Sequence, residues 1–244
     1  MRQIIKALEI KTILTLVLFD FEIPVSETVI VSWAVMALLI IAAVILTRRM
    51  KVIPEGPQAV LEAGVEFLDN FSKNHFGSFS KYLGPYIGSL FLFVLLSCII
   101  PVLSPLEIKI FGREFHPPFL IRPPARDINV TAALALISIL LVLVCGLSAR
   151  GFKGWLKHFL YPVPIMLPFN IMEYGTRLIS LSLRLFGNVL GAYVLMSLIE
   201  SLMPVALPAI FSLYFDFFDG LIQACIFAFL TSLYISEAVN VHEK

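Results

Sequence analysis

Long uninterrupted apolar runs dominate the chain, and their lengths predict membrane-spanning helices. Three of them, residues 28–47, 83–103 and 128–149, are close to the ~20 residues with which an α-helix crosses a bilayer. Two more, 170–200 and 204–238, would be ~45 Å or longer as helices, which exceeds a ~30 Å hydrocarbon core, so they must tilt strongly, bend or follow the interface. None of these runs alternates like the ~10-residue strands of a transmembrane barrel. The pattern therefore predicts an all-α, multi-pass membrane protein with about five transmembrane helices, the last two long and strongly tilted.

Residues 57–74 follow a different pattern. Apolar side chains recur there at helical spacing while acidic and basic side chains occupy the other faces, which predicts an amphipathic interfacial helix. Between the second and third spans, residues 105–127 form a loop whose two Pro-Pro pairs exclude a continuous helix. Pro204 and Pro208 mark the turn that joins the last two helices.

These elements divide the chain into three parts. Residues 1–27 are an N-terminal lead-in, outside the membrane or interfacial, because the apolar run 12–19 is too short to span and lacks an obvious small-residue cleavage site. Residues 28–149 hold three transmembrane helices with the interfacial helix. Residues 150–244 hold a cytoplasmic loop and a tilted helix hairpin.

The basic residues suggest the topology. A cluster at residues 48–51 follows the first span, which favours a cytoplasmic position for that end and an N-terminus outside. Arg150, Lys153 and Lys157 fall on the same predicted side after the third span, although four basic residues in the 105–127 loop weaken the rule. With five spans, the C-terminus is cytoplasmic.

Composition agrees with a lipid environment. The chain of 244 residues is 59% apolar and only 14% charged, with mean hydropathy +0.93, which is more apolar surface than one soluble core could bury. A net charge of +1 with dispersed basic residues argues against nucleic-acid binding. The three cysteines lie in apolar runs without metal-ligand spacing, so no metal or other cofactor is expected.

Arg184 is the most informative residue, since it lies near the middle of an apolar helix. A charge at that depth costs at least ~2.5 kcal/mol and normally faces a partner or a water-filled cavity. Ser180 and Asn188, one turn away on either side, can hydrogen-bond to it but cannot neutralise it. Its anionic partner must therefore come from another helix of the chain, with Asp216 or Asp219 as candidates, or from another protein.

The last helix carries a polar stripe. Asp216, Asp219 and Gln223 are spaced i, i+3 and i+7, which on an α-helix places them on one face. Carboxylates in an apolar setting can exchange protons, and the same oxygens could coordinate a dehydrating sodium ion. The stripe begins nearer the outer side, which suits an entry half-channel better than a continuous pore.

Two further residue spacings on the fourth span predict contacts of that helix. Glu173 and Arg177 are spaced i, i+4 near the cytoplasmic end, which favours a local salt bridge. Gly187 and Gly191 form a GxxxG spacing that allows close helix approach, either within the chain or to a moving partner.

The sequence Ser-Leu-Arg-Leu-Phe-Gly-Asn at residues 182–188 resembles the signature of subunit a of F-type ATP synthases, the membrane stator that faces the rotating c-ring. Three more segments resemble that family in the same order: Pro54 with Gln58 and Glu62, Pro-Ala-Arg-Asp-Ile-Asn-Val-Thr at 124–131, and Ile-Gln-Ala at 222–224. The resemblance covers nearly the whole chain from about residue 28.

This resemblance implies a function. Arg184 would attract each deprotonated c-ring carboxylate and block a direct leak between two offset half-channels for the coupling ion, H+ by default or Na+. The implied partners are the c-ring, the b subunits of the peripheral stalk and membrane lipid, in an energy-coupling membrane such as the bacterial plasma membrane, and the chain alone is not catalytic. The further implied site residues are Asn188, Gln223 opposite the arginine, Asp216 in the outer half-channel, Glu173 near the cytoplasmic one, and Asp127 with Asn129 in an outer polar cluster.

One position departs from the family pattern. Nine residues after the arginine, where many relatives have a glutamate or histidine, this chain has Tyr193, so Asp216 and Asp219 are the remaining outer carboxylates. Tyr193 either supplies a hydroxyl to the channel or packs as a core aromatic. The main rival function is a secondary ion transporter with an internal site of Arg184 and Asp216, but its usual sign, an internal repeat, is missing from the sequence.

Overall fold

A computed structural model of the chain contains long helices, a short N-terminal hairpin and few other elements. It describes residues 12–18, 21–48, 50, 56–76, 79–103, 109–110, 113–114, 123–160, 165, 167–202, 211 and 213–239. The α-helices are α1 (Glu27–Thr47), α2 (Pro57–Phe76), α3 (Ser80–Leu103), α4 (Ile128–Leu160), α5 (Leu167–Leu202) and α6 (Gly220–Val239).

Within the described ranges, five helices are long and apolar enough to cross a membrane, which confirms the predicted multi-pass helical fold. Their candidate spans are Glu27–Thr47, Ser80–Ile100, Ile128–Phe152, Leu167–Met196 and Phe217–Val239. The amphipathic segment 57–74 is confirmed as a helix, α2, although its place at the membrane surface stays a prediction. The three-part division of the chain, the orientation in the membrane and the tilt of the last two helices likewise stay predictions.

The described residues group into two compact units. The first unit contains those of Met1–Ile40, Phe93–Thr131 and Arg184–Ala224. The second contains those of Ile41–Leu92, Ala132–Leu183 and Cys225–Lys244. Each of the helices α3 to α5 therefore contributes one stretch to each unit.

The second unit is built around a buried apolar cluster to which α2, α3, α4 and α6 all contribute. Between membrane-spanning helices such a cluster stabilises the fold through close van der Waals packing rather than through removal of apolar surface from water. Ser236 of α6 donates a hydrogen bond to the carbonyl of His75 on α2 over 2.9 Å, which adds a polar link at the edge. The cluster consists of Phe76, Leu83, Ile87, Val142, Cys145, Ala228, Ile235, Ala238 and Val239.

In the first unit, α3 and the start of α6 approach very closely. A Cβ placed on Gly220 would lie 2.7 Å from the Cβ of Cys98, closer than two such atoms can come. Gly220 is therefore required for space, since only a residue without a side chain lets the two backbones meet here.

Two local features were not predicted from the sequence. The lead-in contains an antiparallel hairpin of β1 (Thr12–Leu18) and β2 (Phe21–Ser26), which was not predicted. α4 breaks at Gly151, whose φ of 67° and ψ of 164° suit glycine, so its first helical stretch ends close to the predicted end of the third span at residue 149. A second helical stretch, which was not predicted, continues to Leu160. The loop 105–127 has no continuous helix in its described parts, as predicted; these are β3 (Lys109–Ile110), β4 (Arg113–Glu114) and a 3-10 turn (Pro124–Arg126).

The segment before α6 differs most from the sequence prediction. Leu213–Asp219 form a π-helix, in which hydrogen bonds join residues five apart. The i, i+3 spacing of Asp216 and Asp219 therefore does not place them on one face, because that argument assumed 3.6 residues per turn. The predicted turn at Pro204 and Pro208 lies outside the described residues.

Candidate functional site

Arg184 lies on the open side of α5. Its neighbours Leu181, Ser182 and Leu185 are buried, whereas Leu183 and Arg184 are exposed on the isolated chain. Within the described part of the chain the guanidinium forms no ion pair. Of the two candidate partners within the chain, Asp219 is not bridged to Arg184, and the side chain of Asp216 lies outside the described residues.

The helix face around Arg184 is open and partly lined by glycine. Gly187, Gly191 and Leu195 follow the arginine at three, seven and eleven residues, which on an α-helix is one face. A Cβ added at either glycine would meet no described atom within 4 Å. Leu195 is 45% exposed. In this chain the GxxxG spacing therefore does not serve internal packing against the described residues.

Tyr193 and Asn188 lie on α5 beyond the arginine, and both are half-buried. The Tyr193 ring is covered by a guanidinium that the sequence analysis did not single out: the Cζ of Arg126 lies 4.1 Å from the ring centroid. Arg126 closes the 3-10 turn before α4 and is only 9% exposed. This contact packs the Tyr193 ring against Arg126, while a role of its hydroxyl in a channel stays a prediction.

Asp127 connects the start of α4 with the start of α1. Its Oδ2 accepts hydrogen bonds from Thr28 Oγ1 over 2.8 Å and from Ser26 Oγ over 3.4 Å. Its Oδ1 accepts the backbone N–H of Asn129 over 2.9 Å, as an N-cap does. The carboxylate is buried and both its oxygens accept from donors, whereas the side chain of Asn129 is exposed. A polar cluster thus surrounds Asp127, with Ser26 and Thr28 as partners that the sequence did not reveal, and its place on the outer side stays a prediction.

Asp219 and Gln223 lie one helical turn apart where the π-helix passes into α6. Asp219 is half-buried, and Gln223 is 4% exposed. The amide Nε2 of Gln223 is buried and has no hydrogen-bond partner in the part of the chain that the structure describes. A buried amide nitrogen costs free energy unless it is paired, so this position favours a polar group arriving from elsewhere.

Glu173 belongs to the second unit and forms the predicted salt bridge with Arg177. The bridge extends further than the sequence indicated, because Nη2 of Arg177 also lies 2.7 Å from Oε2 of Glu237 on α6. The guanidinium lies over the ring of Tyr234, 4.6 Å from its centroid. The sequence signal for Glu237 was weak, since an acid in the last turn of the last span resembles an ordinary tail residue.

A five-span helical fold that carries an arginine on the open face of an apolar helix defines a membrane protein that handles charge within the bilayer. Residues 29–236 match the family model described as ATP synthase A chain. The chain is 35% identical over 223 residues to the "ATP synthase subunit a, sodium ion specific" of Propionigenium modestum, covering 90% of this chain and 76% of that protein. It is 33% identical over 223 residues to the ATP synthase subunit a of Moorella thermoacetica, covering 90% and 94%.

The chain therefore belongs to the ATP synthase A chain family: it is an ion-translocating, non-catalytic membrane subunit of the Fo sector of F-type ATP synthases. Membership in that complex, with its c-ring and b subunits, follows from the family, as does an energy-coupling membrane of the bacterial type. This family membership argues against the alternative of a secondary transporter with an internal site.

Proposed function

We propose that this chain carries the coupling ion to and from the c-ring carboxylates through two offset half-channels, with Arg184 as the gate between them. The observation that carries the proposal is the open face of α5, where a charged side chain without an ion pair among the described residues stands beside two uncovered glycines. A partner helix can approach this face closely, and a carboxylate on that helix would neutralise the arginine.

The chemistry of arginine suits a gate. Its guanidinium stays protonated in proteins, so it cannot relay protons and can only present a fixed positive charge to an alternating partner. A protonated c-ring carboxylate would not be held, whereas a deprotonated one would be attracted and released only when an ion reaches it. Since each charge crossing the membrane gains ~2.3 kcal/mol per 100 mV, several ions must pass for each ATP, which a ring of many carboxylates allows.

We assign the outer half-channel to residues of the first unit and the cytoplasmic one to Glu173 of the second unit. The half-burial of Asp219 and Asn188, and the unpaired amide of Gln223, support a polar path beside Arg184. The carboxylate of Glu173 is paired with Arg177 but remains 51% exposed, so solvent reaches it. The remaining residues that we assign to the outer side are Asp216, Tyr193, Asp127 and Asn129.

We propose H+ as the coupling ion. One relative named above is called sodium ion specific and the name of the other specifies no ion, so similarity alone does not select between them. A proton needs a single carboxylate, which the described part of the first unit offers in Asp219.

Arg184→Ala tests the gate. In the whole complex reconstituted into vesicles, we expect ATP-driven ion transport to fall to the level of vesicles without the complex, while the subunit content of the purified complex stays normal. Arg48→Ala, at an exposed arginine after α1, is the matched control and should keep the parental rate. Coupled transport retained by Arg184→Ala would disprove the gate.

A further inference from the structure

The contact between Arg126 and Tyr193 joins two parts of the first unit that are far apart in sequence. Arg126 ends the 3-10 turn that follows Pro123, and Tyr193 lies on α5. The guanidinium lies 4.1 Å from the ring centroid, inside the ~6 Å within which a cation is attracted to an aromatic face. Because Arg126 is 9% exposed, water screens this attraction only weakly.

The position of Tyr193 on α5 shows which side of the helix the contact with Arg126 occupies. Nine residues at 3.6 per turn amount to two and a half turns, so on a regular helix Tyr193 and Arg184 face opposite sides. Burial agrees with this geometry, since Arg184 is exposed and Tyr193 is half-buried. The open gate face of α5 is thus left free for a partner, while the opposite side is fixed to the turn before α4.

The residue after Arg126 is fixed as well. Asp127 accepts hydrogen bonds from Thr28 of α1 and from the backbone of Asn129. The short segment 123–127 is therefore held at two adjacent residues, one attached to α5 and the other to α1. Loss of either attachment would let the segment shift relative to α5.

We propose that Arg126 and Tyr193 are a positioning pair for the outer half-channel: their stacking fixes the turn that carries Asp127 against α5 and so sets how readily the ion enters from the outer side. This inference rests on the proposed function. Neither residue needs to touch the ion. The planar guanidinium suits this role better than an ammonium group, because it can stack flat on the ring.

The test uses the whole complex in vesicles, with ATP synthesis driven by an imposed gradient. The ion activity on the outer side is varied at constant inner activity, and the inner activity is then varied at constant outer activity. For Arg126→Gln and for Tyr193→Leu we expect the outer ion activity that gives half the maximal rate of ATP synthesis to rise about 2- to 30-fold. The dependence of that rate on the inner ion activity should not change. The double variant should shift no further than either single one, since both remove the same contact.

Three further variants sharpen the result. Tyr193→Phe keeps the ring and should shift the outer dependence less than Tyr193→Leu, and Arg126→Lys should shift it less than Arg126→Gln. Tyr82→Leu makes the same chemical change at a tyrosine that is 77% exposed and should leave both dependences at the parental values. If Arg126→Gln prevents assembly of the complex, the positioning role is tested with Arg126→Lys and the two Tyr193 variants instead.

The inference is overturned if the single variants leave the outer dependence unchanged, if they shift the inner dependence equally, or if their effects add in the double variant. An equal shift in Tyr193→Phe and Tyr193→Leu would also overturn it, because the hydroxyl would then be the active group. These outcomes are separate from the gate test: Arg184→Ala can abolish coupling while the Arg126 variants behave like the parent, and then only the positioning pair fails.

Discussion

Two arginines on α5, Arg177 and Arg184, are seven residues apart and have opposite surroundings. The side chain of Arg177 is 13% exposed and is paired with Glu173 and Glu237, whereas that of Arg184 is exposed and makes no ion pair with the described residues. Removing this largely buried guanidinium abolishes two ion pairs and its contact with Tyr234, and it leaves two carboxylates close together without a cation, although both are about half exposed and stay hydrated. The first arginine therefore stabilises the fold, and the second is free to act on a partner.

We predict that Arg177→Met destabilises the second unit by about 1–3 kcal/mol, between the values typical of exposed and buried pairs. Thermal inactivation of ATP-driven transport by the reconstituted complex measures the loss. Adding Glu237→Gln should restore part of it, since one uncompensated carboxylate is then removed.

The control for this prediction is another ion pair with i, i+4 spacing. Lys73 and Asp69 are 2.6 Å apart on α2, but both side chains are about half exposed or more. We expect Lys73→Met to change stability by no more than about 0.5 kcal/mol. If Lys73→Met and Arg177→Met lowered the stability equally, the buried position of Arg177 would add nothing to the stability of the fold.

At the residue level, the sequence predicted features that arise within a single helix, but it did not predict side-chain contacts between segments that are distant in the chain. The cost of a mid-membrane charge identified Arg184, and the spacing of Glu173 and Arg177 predicted their bridge, which is confirmed. The contacts of Arg126 with Tyr193 and of Asp127 with Thr28 join segments distant in the chain. Neither hydrophobic periodicity nor local spacing contains that information.

Among the helices, the junction at Gly220 combines a change of regular geometry with a close approach of two backbones. The π-helix Leu213–Asp219 ends there, α6 begins, and the backbone approaches Cys98 of α3. Hydropathy could predict an apolar helix over this stretch. It could not distinguish hydrogen bonds to the fourth residue from those to the fifth, because both leave the segment apolar and helical. The hairpin of β1 and β2 was missed for a related reason, since pairing of two short strands depends on their register and turn.

We predict that Gly220→Ala destabilises the first unit by about 1–3 kcal/mol, the usual cost of forcing an extra carbon into a packed contact. The measurement is the amount of assembled complex and its thermal inactivation temperature. Cys98→Gly combined with Gly220→Ala should recover stability, because it removes the side chain that the new methyl group would meet.

Gly64→Ala provides the comparison on α2. Nothing lies within 4 Å of a Cβ at that position among the described residues, so this substitution should be neutral or stabilising, by up to about 1 kcal/mol of helix propensity. If Gly220→Ala were equally harmless, the close approach of α3 and α6 would not constrain the fold.

For the whole molecule, the distribution of carboxylates bears on the coupling ion. Asp127 already accepts hydrogen bonds at both oxygens, and the Glu173 carboxylate is paired with Arg177. Of the candidate acids whose side chains the structure describes, only Asp219 is left without such a partner. Dehydrating a metal cation requires several oxygens at once, whereas a proton requires one. On our proposal that these acids line the ion path, one unpaired carboxylate among the described residues favours a proton over a dehydrated sodium ion.

We accordingly predict that sodium does not stimulate ATP hydrolysis by the whole complex at fixed pH. The rate should stay constant as sodium replaces potassium at constant ionic strength, and ATP-driven acidification of vesicles should persist in sodium-free buffer. The two salts screen surface charge equally, so a difference between them reports a specific ion site. Sodium-specific stimulation would mean that the c-ring supplies the missing oxygens and binds the metal ion itself. In that case Arg184 would still face a carboxylate that alternates between occupied and empty, because a fixed positive charge attracts the empty, negatively charged carboxylate whichever ion it has released.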